Sequence, residues 1–459
     1  MQQQNRRTET MDIKELYELY QQHPCITTDS RDCPEGSIFL ALKGESFNGN
    51  LFAVQALEKG CSYAIVDEKP ENLDALDDLA KRIIKVDDCL QTFKDLAREH
   101  RRQFDIPVIG ITGTNGKTTT KELIRAVLSE CYSVMATEGN FNNDVGVPKT
   151  LFRLDDTAEI AVVEMGASHP GDIKTLVETA EPTSGMITNV GRAHLQGFGS
   201  FEGVCKTKGE LYDFLCERAC PLFVNRDNEH LMKMVASRKP TDVYYYGQSD
   251  NEDILIRGEV ISCAPFLKFR WREQDSEAGY QGEWFTVQTQ LIGAYNLDNM
   301  LAAITIGYVN NVPFEQINHA LENYKPSNNR SQMTVTEHNH LVVDAYNANP
   351  TSMKAAIDNF KLMEVEHKMA ILGKMGELGD VCEEEHQKLV DMLSEANFEA
   401  VWLVGDEFLA TNHAALANLR IFHDVEEVKA AIQEQQPQGC YILIKGSNSN
   451  KLFQLPELL

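Results

Sequence analysis

The sequence predicts an α/β protein of three domains, and three observations support this prediction. The chain has 459 residues, whereas a single hydrophobic core stops growing at roughly 250–300 residues. Short apolar runs alternate with stretches of helical periodicity, as they do in sheets covered by helices. A glycine-rich turn at residues 110–120 joins one such run to a helix. That combination is typical of a parallel sheet that binds phosphate groups at its edge.

Composition and charge exclude several classes of protein. Hydrophobic residues make up 42% and charged residues 24% of the chain, as in ordinary globular proteins. The formal charge of −26 repels nucleic acid and anionic membrane surfaces, so no nucleic-acid partner is expected. No apolar run reaches the length of about 18 residues that a membrane span needs. Eleven cysteines without a CxxC pair, and an N-terminus without a signal-peptide core, predict a cytoplasmic protein with free thiols.

The first domain is predicted over residues 11–105, after a polar, disordered leader at residues 1–10. Its apolar runs SIFLALKG, SYAIVDE and KRIIKVDD are separated by helical stretches such as LFAVQALEKG. These short runs indicate a small α/β domain.

The second domain is predicted over residues 106–324. It opens with the strand-like IPVIGIT, followed by the glycine-rich turn and a helix whose apolar face carries Leu123, Ile124, Val127 and Leu128. The uninterrupted apolar runs IAVVEMG, SGMITNV and PLFVN are typical of strands buried on both faces of a parallel sheet. Alternation of apolar and charged residues in FLKFRWRE predicts a half-exposed antiparallel extension between residues 253 and 291.

The third domain is predicted over residues 325–459, after a break at Lys325-Pro326. The runs LVVDAYN, MAILGKM, AVWLVG and YILIKGS repeat the rhythm of strand and helix. This rhythm indicates a doubly wound, Rossmann-like sheet.

The segment GITGTNGKTTT at residues 110–120 carries the clearest chemical signal. Glycines allow the backbone to approach a phosphate closely, and the amides at the start of the helix point towards it. Lys117 can neutralise β- and γ-phosphate charge, and Thr118 can bind Mg²⁺. The spacing is a variant, because Ile111 stands where the strict Walker pattern has glycine. The second domain is therefore predicted to be a P-loop ATPase domain.

Glu164 is a second candidate on physical grounds alone. It interrupts the buried run AVVEMG at a strand end, where an unpaired carboxylate would be costly. This position predicts a metal ligand.

The loop TGTNGKTTT resembles the nucleotide loop of the Mur ligase family and of its folylpolyglutamate synthase relatives. Further segments that resemble this family follow one another in order along most of the chain. They are TTDSR (27–31), FLALKGESFNGN (39–50), GNFNNDVGVPKT (139–150), VEMGASHPGDI (163–173), NVGRAHLQGFGS (189–200), KTKGEL (206–211), NNR (328–330), VVDAYNANPTSM (342–353), LGKMGELG (372–379) and KGSNSNKL (445–452).

Within that family, GNFNNDVGVP, DAYNANP and GxMxELG resemble the branch that adds D-alanyl-D-alanine to UDP-N-acetylmuramoyl-tripeptide. The resemblance implies a monomeric, ATP-dependent amide-bond ligase of peptidoglycan precursor synthesis. The reaction would pass through an acyl phosphate and release UDP-N-acetylmuramoyl-pentapeptide, ADP and phosphate. Its partners would be small molecules: ATP, the UDP-linked tripeptide and the dipeptide.

The resemblance also implies roles for individual residues. Those implied for catalysis are Lys117, Glu164, His194 and Lys208. The two expected Mg²⁺ ions would be held by Thr118, Glu164, His194 and Lys208, the last as a carbamylated lysine. Those implied for ATP are Gly113, Thr114, Asn115, Gly116, Lys117, Thr118, Thr119, Asn296, Asn299, Arg330 and Asp344. Those implied for the UDP substrate are Ser30, Arg31, Lys43, Asn140, Asn142 and Asn143.

Three departures and two alternatives stay open at this stage. Tyr295 and Asn50 replace frequent histidines of the family, and Asn448 stands where KGSR would place arginine. The group that binds the dipeptide carboxylate is therefore undetermined, as is the third residue of the acceptor peptide. The alternatives are another member of the superfamily, such as a folylpolyglutamate synthase, and a nucleotide-binding switch that forms no amide bond.

Overall fold

The computed structural model describes residues 11–69, 78–263, 265–275, 280–326, 332–416 and 418–459. The predicted leader and Arg330 lie outside these residues. Contacts divide the chain into two compact units. The first contains residues 11–106 together with 137–158 and 175–181, and the second contains 107–136, 159–174 and 182–459. Within the described ranges, no helix has both the length and the apolar character needed to cross a bilayer.

The first unit is built on a four-stranded parallel sheet with the strand order β1-β2-β3-β4. Its strands are β1 (Ile26–Thr27), β2 (Ile38–Leu40), β3 (Tyr63–Val66) and β4 (Ile83–Lys85). Its helices are α1 (Ile13–Gln22), α2 (Ala53–Glu58), α3 (Cys89–Arg101) and α5 (Gly146–Leu151). Helix α1 begins with a capping box, in which the side chain of Asp12 accepts from the backbone amide of Glu15 and the side chain of Glu15 accepts from the backbone amide of Asp12. The buried residues of α1, β2, α2, β3 and α3 form one apolar core.

The second unit contains a ten-stranded sheet whose main order is β13-β12-β11-β10-β9-β8-β5-β7-β6, with β14 paired to β12. Its strands are β5 (Val108–Thr112), β6 (Val134–Ala136), β7 (Ile160–Glu164), β8 (Ser184–Ile187), β9 (Leu222–Asn225), β10 (Val243–Gly247), β11 (Ile254–Cys263), β12 (Phe266–Asp275), β13 (Tyr280–Gln281) and β14 (Phe285–Ile292). The helices that follow these strands are α4 (Lys117–Leu128), α6 (Asp172–Ala180), α7 (Leu195–Phe198), α8 (Phe201–Glu217), α9 (Glu229–Ala236), α10 (Asn296–Val309) and α11 (Phe314–Asn323). Of these, α6 belongs to the second unit only as far as Lys174, and its remaining residues belong to the first.

Strands β5 to β11 pair in parallel, whereas β12 pairs antiparallel with β11, β13 and β14. The antiparallel extension that alternation predicted is therefore confirmed. Leu267, Phe269 and Trp271 are fully buried in the core shared with α4 and α10. Because the carboxyl ends of parallel strands meet at one edge, the loops after β5, β7 and β8 lie together.

A six-stranded sheet in the same unit has the order β15-β16-β20-β17-β18-β19. Its strands are β15 (Gln332–Val335), β16 (His340–Asp344), β17 (Lys368–Gly373), β18 (Ala400–Val404), β19 (Leu419–Phe422) and β20 (Tyr441–Lys445), and its helices are α12 (Pro350–Leu362), α13 (Cys382–Ser394) and α14 (Val425–Glu434). All pairs are parallel except β15 with β16. Apolar clusters lie on both faces of the sheet. This arrangement confirms the predicted α/β class and the doubly wound third sheet.

Candidate active site

The phosphate loop occupies the turn between β5 and α4 and depends on two glycines. Gly113 has φ +146°, and a Cβ there would lie 2.0 Å from Thr188 Oγ1. Gly116 has φ +80°, and a Cβ there would lie 2.8 Å from Asn299 Oδ1. A side chain fits at neither position. Gly116 also begins α4 without a side-chain cap, so an anion can accept hydrogen bonds from the first-turn amides.

Lys117 folds back across this loop. Its Nζ donates to the carbonyl oxygens of Gly113 at 2.9 Å and Thr114 at 3.0 Å. The loop is fixed from the next strand connection, because Thr114 Oγ1 accepts from Gly191 N at 2.9 Å and Asn189 Oδ1 accepts from Asn115 N at 3.0 Å. The ammonium group is thereby held over the loop to which it belongs, where phosphate charge would accumulate.

Thr118 and Glu164 bring two oxygen ligands together at the edge of the sheet. Thr118 Oγ1 donates to Glu164 Oε2 at 2.9 Å, and both side chains are buried. Glu164 ends β7 directly beside Ile111 of β5. The hydroxyl and carboxylate are ligand types that Mg²⁺ prefers.

Lys208 lies on α8 but is only 3% exposed. Its Nζ lies 3.5 Å from Ala167 O and 5.6 Å from the centre of the Phe198 ring. Burial, reinforced by the nearby charge of Lys117, lowers the pKa of Lys208 to about 7. A buried lysine with this pKa is neutral for a large part of the time near neutral pH.

His194 precedes α7 in a left-handed conformation, with φ +51°. Its Nδ1 pairs with the Glu377 carboxylate, which comes from the loop after β17. Burial lowers the pKa of His194, and the charges of Lys117 and Lys208 lower it further, while Glu377 acts in the opposite direction. The ammonium of Lys117 thus favours an anion in this region of a chain of charge −26, while the pKa values of His194 and Lys208 beside it are lowered.

Asn296 and Asn299 lie behind the phosphate loop, in the first turn of α10. Asn299 Oδ1 accepts from Thr120 Oγ1 at 3.0 Å, and its Nδ2 donates to Asn296 Oδ1 at 2.8 Å. Asn296 Nδ2 in turn donates to Ile292 O at 2.8 Å. These bonds support the loop from within the protein, and contact of the two asparagines with ATP stays a prediction.

Asp344 ends β16, where the sequence placed a nucleotide-binding group of the third domain. Lys445 Nζ donates to Asp344 Oδ2 at 2.6 Å and to Asn347 O at 3.2 Å. Lys445 is 1% exposed and lies opposite Asp344 in the neighbouring strand β20. Sequence analysis singled out the segment KGSNSNKL but not this role of its lysine.

A second contact that sequence analysis missed joins Asn115 of the phosphate loop to Asn349. Asn349 Nδ2 donates to Asn115 Oδ1 at 2.8 Å, and Asn115 Nδ2 donates back at 3.4 Å. Asn349 also caps α12, because its Oδ1 accepts from Ser352 N at 2.9 Å. The motif DAYNANP drew attention to this segment, but its partner lies 234 residues away.

A cavity of about 1050 Å³ opens beside the loop that carries Gly191 and His194. Its wall includes Arg192, Glu202, His230, Thr351, Leu378 and Asp380. Because Gly191 is bonded to Thr114, this cavity adjoins the phosphate loop and has room for a small peptide.

The residues predicted for the UDP substrate all lie in the first unit. Arg31 pairs with Asp29 at 2.7 Å, and Lys43 pairs with Asp67 and Glu68 at 2.9 Å each. The carboxylates of Asp67 and Glu68 raise the pKa of Lys43 above its usual range. Ser30 O accepts from Lys59 Nζ at 2.6 Å.

The three asparagines of GNFNND follow β6. Asn143 Oδ1 accepts from Gly146 N at 2.8 Å, at the start of α5, and Asn142 N donates to Asn140 O at 2.8 Å. These bonds shape the turn, and the substrate role of the three side chains stays a prediction.

The sequence and the fold are similar to those of known proteins. Three family models match: the Mur ligase family catalytic domain over residues 24–101, the Mur ligase middle domain over 111–307 and the Mur ligase glutamate ligase domain over 329–448. The UDP-N-acetylmuramoyl-tripeptide–D-alanyl-D-alanine ligase of Bacillus subtilis is 32% identical over 94% of this chain and 92% of its own length.

Two solved structures are similar along nearly the whole chain. MurF from Acinetobacter baumannii is 28% identical, with a TM-score of 0.85 and 98% of each chain covered. MurF ligase from Thermotoga maritima in complex with ADP is 26% identical, with a TM-score of 0.82 over 95% of this chain and 96% of that one. Matches to all three domain models, together with a relative this similar over nearly its full length, show that the chain belongs to the Mur ligase family of ATP-dependent amide-bond ligases.

Proposed function

We propose that this ligase joins D-alanyl-D-alanine to the terminal carboxylate of UDP-N-acetylmuramoyl-tripeptide, with ATP as the phosphoryl donor. The products are UDP-N-acetylmuramoyl-pentapeptide, ADP and phosphate, and the reaction belongs to peptidoglycan precursor synthesis. The convergence of Lys117, Thr118, Glu164, His194 and Lys208 on the phosphate loop carries this proposal. The substrates follow from the relatives that share the fold along nearly the whole chain.

The reaction needs an activated carboxylate, because a carboxylate is a poor electrophile. One carboxylate oxygen attacks the γ-phosphorus of ATP, the bond to the bridging oxygen breaks, and ADP leaves. The amine of the dipeptide then attacks the carbonyl carbon of the acyl phosphate and loses a proton, and inorganic phosphate leaves with the activated oxygen. The cavity beside Gly191 gives the peptide groups a place next to the phosphate loop.

Charge is the main obstacle to the first step. A carboxylate beside a triphosphate concentrates roughly five negative charges within a few ångströms, which is prohibitive in a partly dry site without cations. The ammonium of Lys117 and the amides at the start of α4 offset part of this charge.

The donor set near the loop fits Mg²⁺. Thr118 and Glu164 would hold one ion, and Glu164, His194 and a modified Lys208 would contribute to a second. Among the described residues, no group of three or more His, Cys, Asp and Glu side chains gathers, so the hydroxyl of Thr118 and an oxygen donor at Lys208 are needed to complete such a set. When bound, Mg²⁺ neutralises phosphate charge and polarises the γ-phosphoryl group.

We propose that Lys208 supplies that oxygen donor as a carbamate. Its neutral amine attacks the carbon of CO₂, a carbon–oxygen π bond opens, and a proton leaves, so that an N–C bond and a carboxylate-like anion result. Burial at 3% exposure beside Lys117 supports this step, because both features disfavour the ammonium form that cannot react.

The remaining assignments follow the same proposal. Arg31 and Lys43 present cationic groups for the UDP moiety in the first unit, with Ser30, Asn140, Asn142 and Asn143 as further contacts.

We place the enzyme in the cytoplasm as a monomer. Its eleven cysteines are all unpaired, as expected in a reducing compartment that contains ATP.

Substrate omission tests this function against its two rivals. ATP, Mg²⁺, UDP-N-acetylmuramoyl-tripeptide and D-alanyl-D-alanine are combined, each is omitted in turn, and phosphate release and product mass are measured. We expect the pentapeptide mass and phosphate only in the complete mixture. ATP turnover that depends on a folate and glutamate would indicate a folylpolyglutamate synthase. Tight ATP binding without any new amide would indicate a nucleotide-dependent switch.

A further inference from the structure

We infer that Arg192 binds a substrate carboxylate that does not react, and that it thereby selects the peptide that occupies the cavity beside the phosphate loop. The inference rests on the proposed function. Two substrates can supply such a group: the dipeptide through its C-terminal carboxylate, or the acceptor peptide through a side-chain carboxylate of its third residue. The chemistry of recognition is the same for both.

Arg192 lies where such a contact is useful. It follows Gly191, whose amide donates to Thr114 Oγ1 at 2.9 Å, and it precedes His194 by two residues. Its side chain lines the cavity and is 57% exposed. A group bound to this guanidinium therefore lies in the cavity that adjoins the phosphate loop.

The guanidinium has binding capacity left. Its Nη1 lies 3.4 Å from Glu385 Oε1. Glu385 is buried, and the same oxygen accepts from Lys388 Nζ at the shorter distance of 2.8 Å. Because Lys388 already compensates the charge of Glu385, Arg192 can present its other N–H groups to a ligand. A guanidinium binds a carboxylate through two parallel hydrogen bonds.

The charges of the cavity wall single out Arg192. Of the described residues that line the cavity, Arg192 is the permanent cation, whereas Glu202 and Asp380 are acids. These two acids repel a carboxylate that enters without a cationic partner. Asn448, which stands where the family pattern has arginine, is neutral, and its backbone amide is bonded to Tyr346 O at 3.0 Å. Asn448 therefore carries no charge that could pair with a carboxylate, whereas Arg192 does.

Steady-state kinetics of the full-length chain test this inference. D-alanyl-D-alanine is compared with its C-terminal amide, and an acceptor with lysine as third residue is compared with one carrying diaminopimelate. In Arg192→Gln we expect KM for one carboxylate-bearing substrate to rise about 10- to 100-fold, as for loss of a charged hydrogen bond. KM for ATP should change by less than about twofold. The preference of the parent enzyme for D-alanyl-D-alanine over its amide, or for the diaminopimelate acceptor over the lysine acceptor, should disappear.

The arms of the experiment identify the source. Loss of discrimination between dipeptide and amide assigns Arg192 to the dipeptide, and loss of discrimination between the two acceptors assigns it to the third residue. Arg192→Lys should recover part of the affinity. Unchanged KM values for all of these substrates would overturn the inference.

Lys388→Gln is the matched control, because it removes the other cation beside Glu385. If it reproduces the kinetic defect, the effect arises from Glu385 and the inference fails. Calorimetric titration of dipeptide and acceptors into the parent and Arg192→Gln gives the same distinction without turnover. An absence of amide product in the parent would refute the proposed function separately, while the titration still decides the role of Arg192.

Discussion

Thr118 Oγ1 donates to Glu164 Oε2 at 2.9 Å and thereby joins the first turn of α4 to the end of β7. Both oxygens are buried at the edge of the sheet where the phosphate loop begins. We predict that Glu164→Gln lowers kcat by about 10²- to 10³-fold or more, because it removes charge that holds a cation against the phosphates.

Thr118→Ala should raise the Mg²⁺ concentration for half-maximal rate, whereas Thr118→Ser, which keeps the hydroxyl, should not. Equal Mg²⁺ dependence in the parent, Thr118→Ala and Thr118→Ser would contradict the assignment of Thr118 to the metal.

The pKa of about 7 for Lys208 predicts how CO₂ activates the enzyme. The neutral fraction of such an amine rises from about one tenth at pH 6 to about nine tenths at pH 8. At equal concentrations of dissolved CO₂, enzyme that has been stripped of CO₂ should therefore regain activity several-fold faster at pH 8 than at about pH 6. Reactivation is followed as initial rates at one fixed assay pH.

Substitution of Lys208 provides the companion test. Lys208→Ala should nearly abolish activity and recover part of it with short-chain carboxylic acids, which place an oxygen donor in the space. Lys206→Ala, at an exposed position of the same helix, should behave like the parent. Full activity of untreated Lys208→Ala would remove the carbamate from the mechanism.

The ion pair between the buried Lys445 and the partly exposed Asp344 is predicted to orient the Asp344 carboxylate. Asp344→Asn leaves the ammonium of Lys445 buried without a counter-ion, so the free energy of unfolding should fall by about 3 kcal/mol. Lys445→Met should raise KM for ATP with a smaller loss of stability, because Asp344 is partly exposed. Urea denaturation of both single variants and of the double variant measures the coupling energy. A coupling energy near zero would show that the pair has no role in stability.

The Asn115–Asn349 contact predicts that the third sheet helps to hold the phosphate loop. Asn349→Ser keeps a side-chain oxygen to cap α12 but loses the donor to Asn115, so KM for ATP should rise several-fold at nearly unchanged stability. Asn349→Ala loses both functions and should also lower the free energy of unfolding by about 1 kcal/mol. If ATP kinetics of Asn349→Ser match those of the parent, the contact has no functional part.

Sequence periodicity predicted the elements that bury apolar residues at regular intervals. The uninterrupted run of β5, the helical face of α4 and the alternating residues of β12 each report a local environment, and the structure confirms all three. The burial of Lys208 was less evident, because an isolated lysine on a helix is usually solvated. Only the resemblance of the surrounding segment to a known family drew attention to it.

Contacts between distant segments could not be predicted in the same way. Lys445 and Asp344 are 101 residues apart, and Asn349 and Asn115 are 234 apart. The first pair forms because β16 and β20 are parallel neighbours and end at the same edge of their sheet. The second pair joins the loop after β5 to the helix cap after β16, which belong to two different sheets. Periodicity describes the environment along one element and does not specify which element lies beside it.

Transfer of ¹⁸O from the acceptor carboxylate to inorganic phosphate tests whether the reaction passes through an acyl phosphate. UDP-N-acetylmuramoyl-tripeptide labelled in its terminal carboxylate is converted with ATP and D-alanyl-D-alanine, and the released phosphate is analysed by mass spectrometry. Because the attacking oxygen leaves with the phosphoryl group, we predict one ¹⁸O atom in inorganic phosphate for each amide bond formed. Amide formation with unlabelled phosphate would contradict activation of the carboxylate by the γ-phosphoryl group of ATP.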